Sequence, residues 1–264
     1  MKRIINFLLL AILFYSCKKE LDFEYHEIDP ILVIEGELTQ SGCETRLTFT
    51  TPMNEYMDTT HIRNAQVMLI DMTDETYFNL KSDENGVFIN DVPGEVGHTY
   101  ELAIIYNENM YSSSCEMRGA TEIYNVGFSW LKMPYDYVAI LEVEFKEIVG
   151  NGNYYWLRIY RNGKAYKWLL CDNKSAFNGK ITQMTMTTRK NLDKEDEKDI
   201  LREGDTIEVE ILTISREMYD YLSALQISSN GPQMFEGEFC LGYFLASSPV
   251  SRTIVFHPDE LKER

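Results

Sequence analysis

Motifs that carry out known reactions are missing from this sequence. Its four histidines are isolated, and none belongs to an HExxH pair or to another close metal-binding spacing. There is no GxSxG elbow and no glycine-rich phosphate loop. None of the five cysteines is close enough to another for a zinc knuckle or a CxxC redox site. These absences predict a protein that is not an enzyme and that has no metal, no cofactor and no catalytic residues.

Positive charge is also scarce. The chain has 25 lysines and arginines against 42 aspartates and glutamates, which gives a formal net charge of −17. A body this acidic is repelled by nucleic acid and by anionic lipid headgroups, so we expect no nucleic-acid partner. With this many carboxylates, some two of them will lie close together in any fold. A glycosidase-like pair of carboxylates is therefore no evidence for glycosidase activity here.

The sequence has no apolar run long enough to span a bilayer as a helix, which takes about 20 residues. Its longest candidate covers residues 4–15, follows two basic residues and leads into Ser16 and Cys17. This order is typical of a bacterial lipoprotein signal peptide. We predict that residues 1–16 are removed, that Cys17 carries the lipid, and that the charged residues 17–28 tether the body to a membrane. The alternatives are an ordinary secretory signal with a chance cysteine and a buried apolar strand. The cell-surface and periplasmic faces both stay open.

An exported compartment permits disulfide bonds between the four remaining cysteines. Cys43 and Cys115 lie in the first half of the chain, and Cys171 and Cys240 lie in the second. Pairing within each half is the prediction. Four buried free thiols are an equal alternative, because free cysteine is readily buried.

Residues 29–120 form a series of short predicted strands separated by turns. Alternation of apolar and polar residues, as in residues 65–69, indicates half-buried strands. Asp83-Glu84-Asn85-Gly86 suits a hairpin turn better than a calcium loop, because the remaining calcium ligands are missing. The order of strand, Asn-Gly turn and Thr-Tyr-Glu-Leu strand is similar to small immunoglobulin-like or transthyretin-like β-sandwich modules.

Residues 121–264 are predicted to form a second antiparallel β domain. Residues 137–145 and 206–211 alternate, and Asn162-Gly163 indicates a type I′ hairpin turn. Apolar residues recur at helical spacing near 216–227, with Ser215 as the N-cap, so one amphipathic helix is expected there. The fold class is thus mainly β, with a single helix.

An aromatic group stands out in the second domain: Tyr154, Tyr155, Trp156, Tyr160, Tyr166 and Trp168. Flat aromatic faces on a sheet stack on sugar rings or anchor a protein partner. We take Tyr154, Trp156, Tyr160 and Trp168 as a candidate ligand or partner surface. The alternative is that alternate members pack the core, since strands favour aromatic residues in any case.

The C-terminal region carries a family resemblance. The run GDTIEVEILTISREMYDYLSALQ, followed by LGYFLASS and SRTIVF, resembles an uncharacterised family of Bacteroidota outer-membrane lipoproteins, a domain of unknown function. The segments ILVIEGEL and NAQVMLID extend the resemblance over most of residues 17–256. The family implies an exported lipoprotein found beside TonB-dependent outer-membrane transporters, and it implies no catalytic residues.

These features together predict a non-enzymatic accessory lipoprotein, held in the membrane by its lipid. It would capture a ligand or bind a partner for a TonB-dependent transporter. The alternative is a glycan-binding or adhesin-like surface module that uses exposed aromatic residues. The ligand would be a glycan or a peptide.

Overall fold

The computed structural model describes residues 29–51, 61–150, 152–190 and 200–264. The predicted signal peptide, the tether and the lipidation of Cys17 lie outside the described residues. So do residues 191–199 of the charged segment that precedes Gly204.

The first module is a nine-stranded β structure that folds over into two layers. Strand β4 pairs with β3 over most of its length and with β5 at its end, so the layers share this strand. The strand order is β14-β7-β6-β3-β4-β5-β2-β1-β15. Its strands are β1 (Leu32–Thr39), β2 (Gly42–Phe49), β3 (Gln66–Asp71), β4 (Thr76–Ser82), β5 (Val87–Asn90), β6 (Thr99–Tyr106), β7 (Asn109–Glu116), β14 (Glu236–Gly237) and β15 (Leu241–Ala246).

The second module is a sandwich of two antiparallel sheets. A four-stranded sheet has the order β11-β10-β13-β16, and a three-stranded sheet has the order β12-β9-β8. Their facing side chains form a separate hydrophobic core. The strands are β8 (Ile123–Lys132), β9 (Tyr137–Lys146), β10 (Tyr154–Arg161), β11 (Lys164–Asp172), β12 (Lys180–Arg189), β13 (Thr206–Ile214) and β16 (Val250–Val255).

A helix and a third core join the modules. Helix α1 (Arg216–Gln226) begins where expected, because the Ser215 hydroxyl accepts a hydrogen bond from the Met218 amide at 3.1 Å. The third core combines the outer face of β10 and β13 with α1 and with two side chains of β15. The contacting residues are Trp156, Leu212, Ile214, Met218, Tyr221, Leu222, Tyr243 and Leu245.

The predicted fold class is confirmed: the described residues are mainly β, with antiparallel sheets, an N-terminal sandwich and one amphipathic helix. The predicted domain boundary is wrong for the last part of the chain. Strand β15 returns to the first module and pairs parallel with β1, with Ile34 opposite Gly242. Gly242 is required there, because its φ is +108° and a Cβ atom would lie 1.8 Å from the Ile34 carbonyl oxygen.

Strand β8 was not predicted. It forms a hairpin with β9, and Pro134 lies in the turn between the two strands. The turn prediction at Asn162-Gly163 is confirmed, since both residues have positive φ. The Asp83 turn is confirmed as well. Its carboxylate accepts hydrogen bonds from the amides of Asn85 and Val87, each at 2.8 Å.

Candidate functional site between the two modules

One face of β10 carries the predicted aromatic residues toward the first module. Successive side chains of a strand point to opposite faces. Tyr155, Leu157 and Ile159 therefore enter the second core, where each is 1% exposed or less. Tyr154, Trp156, Arg158 and Tyr160 alternate with them on the other face. This places an arginine in the middle of an aromatic row at the junction of the modules.

The predicted aromatic surface is largely an interface inside the protein. Trp156 is only 8% exposed and packs edge-on against Trp168 and Tyr243, with ring centroids 6.4 and 6.0 Å away. Tyr154 packs against Tyr219 of α1 at 4.7 Å. The structure therefore contradicts the prediction of Trp156 as an exposed contact, because the third core covers it. Tyr154 and Tyr160 are half-buried, and Trp168 remains 36% exposed.

Arg158 is the centre of this site. Its Nη1 atom lies 2.7 and 2.9 Å from the two carboxylate oxygens of Glu37, and its Nε atom lies 2.7 Å from Glu210. Glu210 is the cross-strand neighbour of Arg158 on β13, whereas Glu37 belongs to β1 of the first module. The guanidinium also lies over the Trp156 ring, 4.9 Å from its centroid. One side chain thus connects the two modules through charge and through an aromatic contact.

The electrostatics follow from burial and from the neighbouring carboxylates. Burial alone would lower the pKa of Arg158, but the charges of Glu37 and Glu210 outweigh burial and raise that pKa above its ordinary value. The Tyr243 hydroxyl donates to Glu37 at 2.9 Å. Burial, and then the charges of Glu37 and Glu35, raise the pKa of Tyr243. Arginine and tyrosine therefore keep their protons at neutral pH, and neither acts as a base.

A cavity of about 430 Å³ opens beside Arg158. Two ion pairs line it: Arg158 with Glu37, and Arg46 with Glu44 at 3.8 Å. Such a lining suits the recognition of charged or polar groups. The lining residues are Glu35, Glu37, Glu44, Arg46, Arg158, Tyr160 and Tyr243.

The structure brings a second polar cluster together that is scattered in the sequence. Ligand atoms of Asp71, Asp74 and His98 lie within 4.8 Å of one another, a spacing that a metal ion could use. His98 Nδ1 is 2.8 Å from Asp71, whose other oxygen accepts the amides of Thr73 and Asp74. The hydrogen bond to Asp71 raises the pKa of His98. Burial opposes ionisation of Asp71, yet hydrogen bonds from His98 and the amides lower its pKa. These hydrogen bonds explain why the three residues lie together: they stabilise the turn that follows β3.

The four cysteines of the body are free thiols in the structure, and all are buried. Pairing within each half is therefore not formed. Cys171 belongs to the second core and Cys240 to the first, so that predicted pair is divided between two modules. Cys115 instead accepts a hydrogen bond from the Ala246 amide at 3.3 Å. Burial raises the pKa of Cys43 and of Cys171 to about 12 each, which makes these thiols poor nucleophiles.

Sequence reasoning missed the ion cluster because Arg158 and Glu37 are 121 residues apart. The available signal was local: an arginine at an alternate position of a strand whose neighbours on that face are aromatic. A charge in such a row needs a buried partner.

Comparison with known families now places the chain. A family model with the description "Domain of unknown function (DUF4249)" matches residues 18–253. The chain belongs to this family. The predicted resemblance to a domain of unknown function is confirmed at that level.

Other comparisons add little for this DUF4249 member. Among solved structures, it is similar to a segment of two fibronectin type-III domains from chicken tenascin, with 10% sequence identity and a TM-score of 0.25. The match covers 86% of this chain and all of that one, but similarity at this TM-score supports no argument. A search of curated proteins found no match. Within the described residues, every helix falls short of the length and apolarity that crossing a bilayer demands.

Proposed function

We propose that this protein is a membrane-tethered, non-enzymatic binding module that serves a TonB-dependent transporter in the outer membrane. The observation that carries the proposal is the way its two β modules are locked together. Strand β15 belongs to the first sheet although it follows most of the second module in the chain. Arg158 then ties Glu37 of one module to Glu210 of the other.

This construction supports a binding role because it fixes two β surfaces in one rigid relation. Buried aromatic contacts and charge-assisted hydrogen bonds resist relative motion of the modules. The cavity beside Arg158 is lined by two ion pairs, which suits it to polar or charged groups of a ligand. The sequence adds the tether, since an apolar run and Cys17 precede the body as they do in lipoproteins. A lipid anchor holds through buried methylene groups, at about 0.8 kcal/mol each.

Capture from native membranes tests this function. The full-length tagged chain is expressed in a bacterium that processes lipoproteins, crosslinked, and recovered from outer membranes with mild detergent. A TonB-dependent transporter should be enriched relative to Cys17→Ser, which cannot be lipidated and should leave the membrane fraction. Recovery of only chaperones, or equal recovery with the Cys17→Ser variant, contradicts the proposal.

The glycan-binding alternative gains no support from the site geometry. Sugar-binding aromatic residues need an exposed ring face. Trp156 is buried between Trp168 and Tyr243, and of the predicted group only Trp168 keeps more than a third of its surface in solvent.

A further inference from the structure

Positive charge is concentrated in one part of this acidic chain. Residues 154–190, which form β10, β11 and β12, contain eight lysines and arginines and a single acidic residue, Asp172. The whole chain has a net charge of −17. These three strands therefore concentrate positive charge in a protein that is acidic as a whole.

Half of these basic side chains are neutralised within the protein. Arg158 contacts half-buried carboxylates, Arg161 contacts the buried Asp205, and Lys174 and Lys180 contact Asp172 and Glu144. The other half have no carboxylate partner among the described residues, and these are Lys164, Lys167, Arg189 and Lys190.

The unneutralised residues gather at one end of the module. Lys167 Nζ on β11 donates to the Met186 carbonyl on β12 at 2.8 Å, so a side chain of one sheet reaches the edge strand of the other at that point. Lys164 precedes Lys167 by three residues, and Arg189 follows Met186 by three residues. Strand β11 leads into the connection 173–179 and β12 leads out of it, so residues before Lys167 and residues after Met186 both lie away from that connection. We therefore place Lys164 and Arg189 at the same end. Lys190 follows Arg189 directly.

Strand β12 also offers an open edge. Within the described residues it pairs only with β9, so the backbone groups on its other side have no strand partner. The opposite flank of the sandwich is closed, because Arg252 of β16 donates to the Tyr124 carbonyl of β8 at 2.9 Å. Natural proteins usually shorten an edge strand or interrupt it with charge or proline. Here the edge strand is ten residues long, and its residues 182–188 contain no charged residue and no proline.

The exposed side chains of this edge are apolar and adaptable. Met184 and Met186 are each 53% exposed and alternate with half-buried threonines. Methionine packs against varied side chains and is common at adaptable binding surfaces. An added strand would therefore find backbone groups, two apolar contacts and a basic end within one short segment.

We propose that β12 is a docking edge for an extended, acidic peptide segment of a partner protein, which pairs with it as an additional β-strand. Acidic side chains of that segment would lie against Lys164, Lys167, Arg189 and Lys190. A lipid surface would match the charge but would leave the backbone groups of the edge unpaired. A second copy fits poorly, because antiparallel pairing of two β12 strands sets Lys180 against Arg189.

The proposal rests on the proposed partner-binding role, yet it is tested separately from the membrane. Random twelve-residue peptides are displayed and selected on the full-length chain purified in detergent. Acidic sequences with alternating apolar residues should be enriched, and their binding should protect amides of β12 from hydrogen exchange.

Charge-matched variants decide the site. Lys167→Glu with Arg189→Glu should weaken the selected peptides by about tenfold or more. The control Lys81→Glu with Arg63→Glu makes the same change in net charge at exposed sites of the first module, and it should bind like the parent. Urea unfolding and circular dichroism confirm that both variants are folded.

Three results would overturn the proposal: no enrichment of acidic peptides, equal loss in both double variants, or binding to phosphatidylglycerol vesicles without peptide binding. Each can occur while a transporter is still recovered from membranes, and the reverse also holds. Failure of this inference and failure of the proposed function are therefore distinguishable.

Discussion

Replacement of Arg158 by methionine tests whether the ion cluster holds the modules together. Methionine keeps an unbranched chain of similar reach and removes only the guanidinium. Glu37 and Glu210 then lose partners at 2.7 Å while their side chains are just 26% and 18% exposed. The variant leaves two carboxylates in a largely dry junction without a counter-charge.

The cost is large because the remaining charges stay desolvated. Removal of one member of a buried pair destabilises proteins by about 3–5 kcal/mol. The carboxylates here retain some contact with water, which places the expected loss near the lower limit, at about 3 kcal/mol in the free energy of unfolding. The lost contact with the Trp156 ring, 4.9 Å from the guanidinium, is part of that figure.

Urea unfolding followed by tryptophan fluorescence and by circular dichroism measures this loss. Both probes should report one transition, because the third core connects the modules. The matched control is Arg46→Met, whose pair with Glu44 spans 3.8 Å and is more than half exposed, so it should cost less than about 0.5 kcal/mol. Adding Glu37→Gln and Glu210→Gln to Arg158→Met should restore part of the stability. If Arg158→Met costs no more than Arg46→Met, the cluster does not hold the modules together.

Three further predictions follow from single features of the structure. Gly242→Ala should lower the free energy of unfolding in urea by about 3 kcal/mol, because the added Cβ collides with the Ile34 carbonyl. Gly163→Ala should lower it by about 1 kcal/mol, because Gly163 also has positive φ but open space around it. Equal losses would contradict the close pairing of β1 and β15. An NMR titration should give His98 a pKa above 6.5 because it bonds to Asp71. The ion pair then stabilises the fold below pH 6.5, and this contribution is lost as the pH rises through the pKa of His98 in the folded protein. His98→Gln should abolish this pH-dependent loss of stability. A measured pKa at or below 6.5 would refute the prediction. The four body cysteines should resist a thiol reagent in the native protein and react together only on unfolding, and fast reaction of any one without unfolding would contradict its burial.

Local features of the fold could be predicted because their causes are local. Helix α1 follows from apolar spacing and from the Ser215 hydroxyl, and both act within one or two turns of the chain. The turn at Asn162-Gly163 follows from the ease with which these two residues adopt positive φ. Neither feature depends on which distant segment packs against it.

The return of β15 to the first module could not be predicted from local pattern. Its partner β1 is some 200 residues earlier, and nothing between them indicates a parallel pair. The sequence did contain one sign, the continuous apolar run of residues 241–246. Such a run is typical of a strand covered on both faces, and residues 242–246 are indeed all buried. Strand β8 was hidden for another reason. Its register shifts between Ile123 and Asn125, which breaks the alternation by which strands are recognised.

The basic segment shows why whole-chain charge was a poor guide to this site. The net value of −17 concealed a stretch whose positive side chains serve two purposes. Arg158 and Arg161 point to carboxylates inside the protein, where their side chains are 18% exposed, whereas Lys164 and Arg189 are exposed at the open edge of the sandwich. Salt separates these purposes, because exposed charges are screened within about 10 Å at 0.1 M and buried pairs are screened much less. Raising the salt concentration should therefore weaken peptide binding at β12 while the stability that depends on Arg158 changes little. If both respond alike, the division between inward and outward charges is wrong.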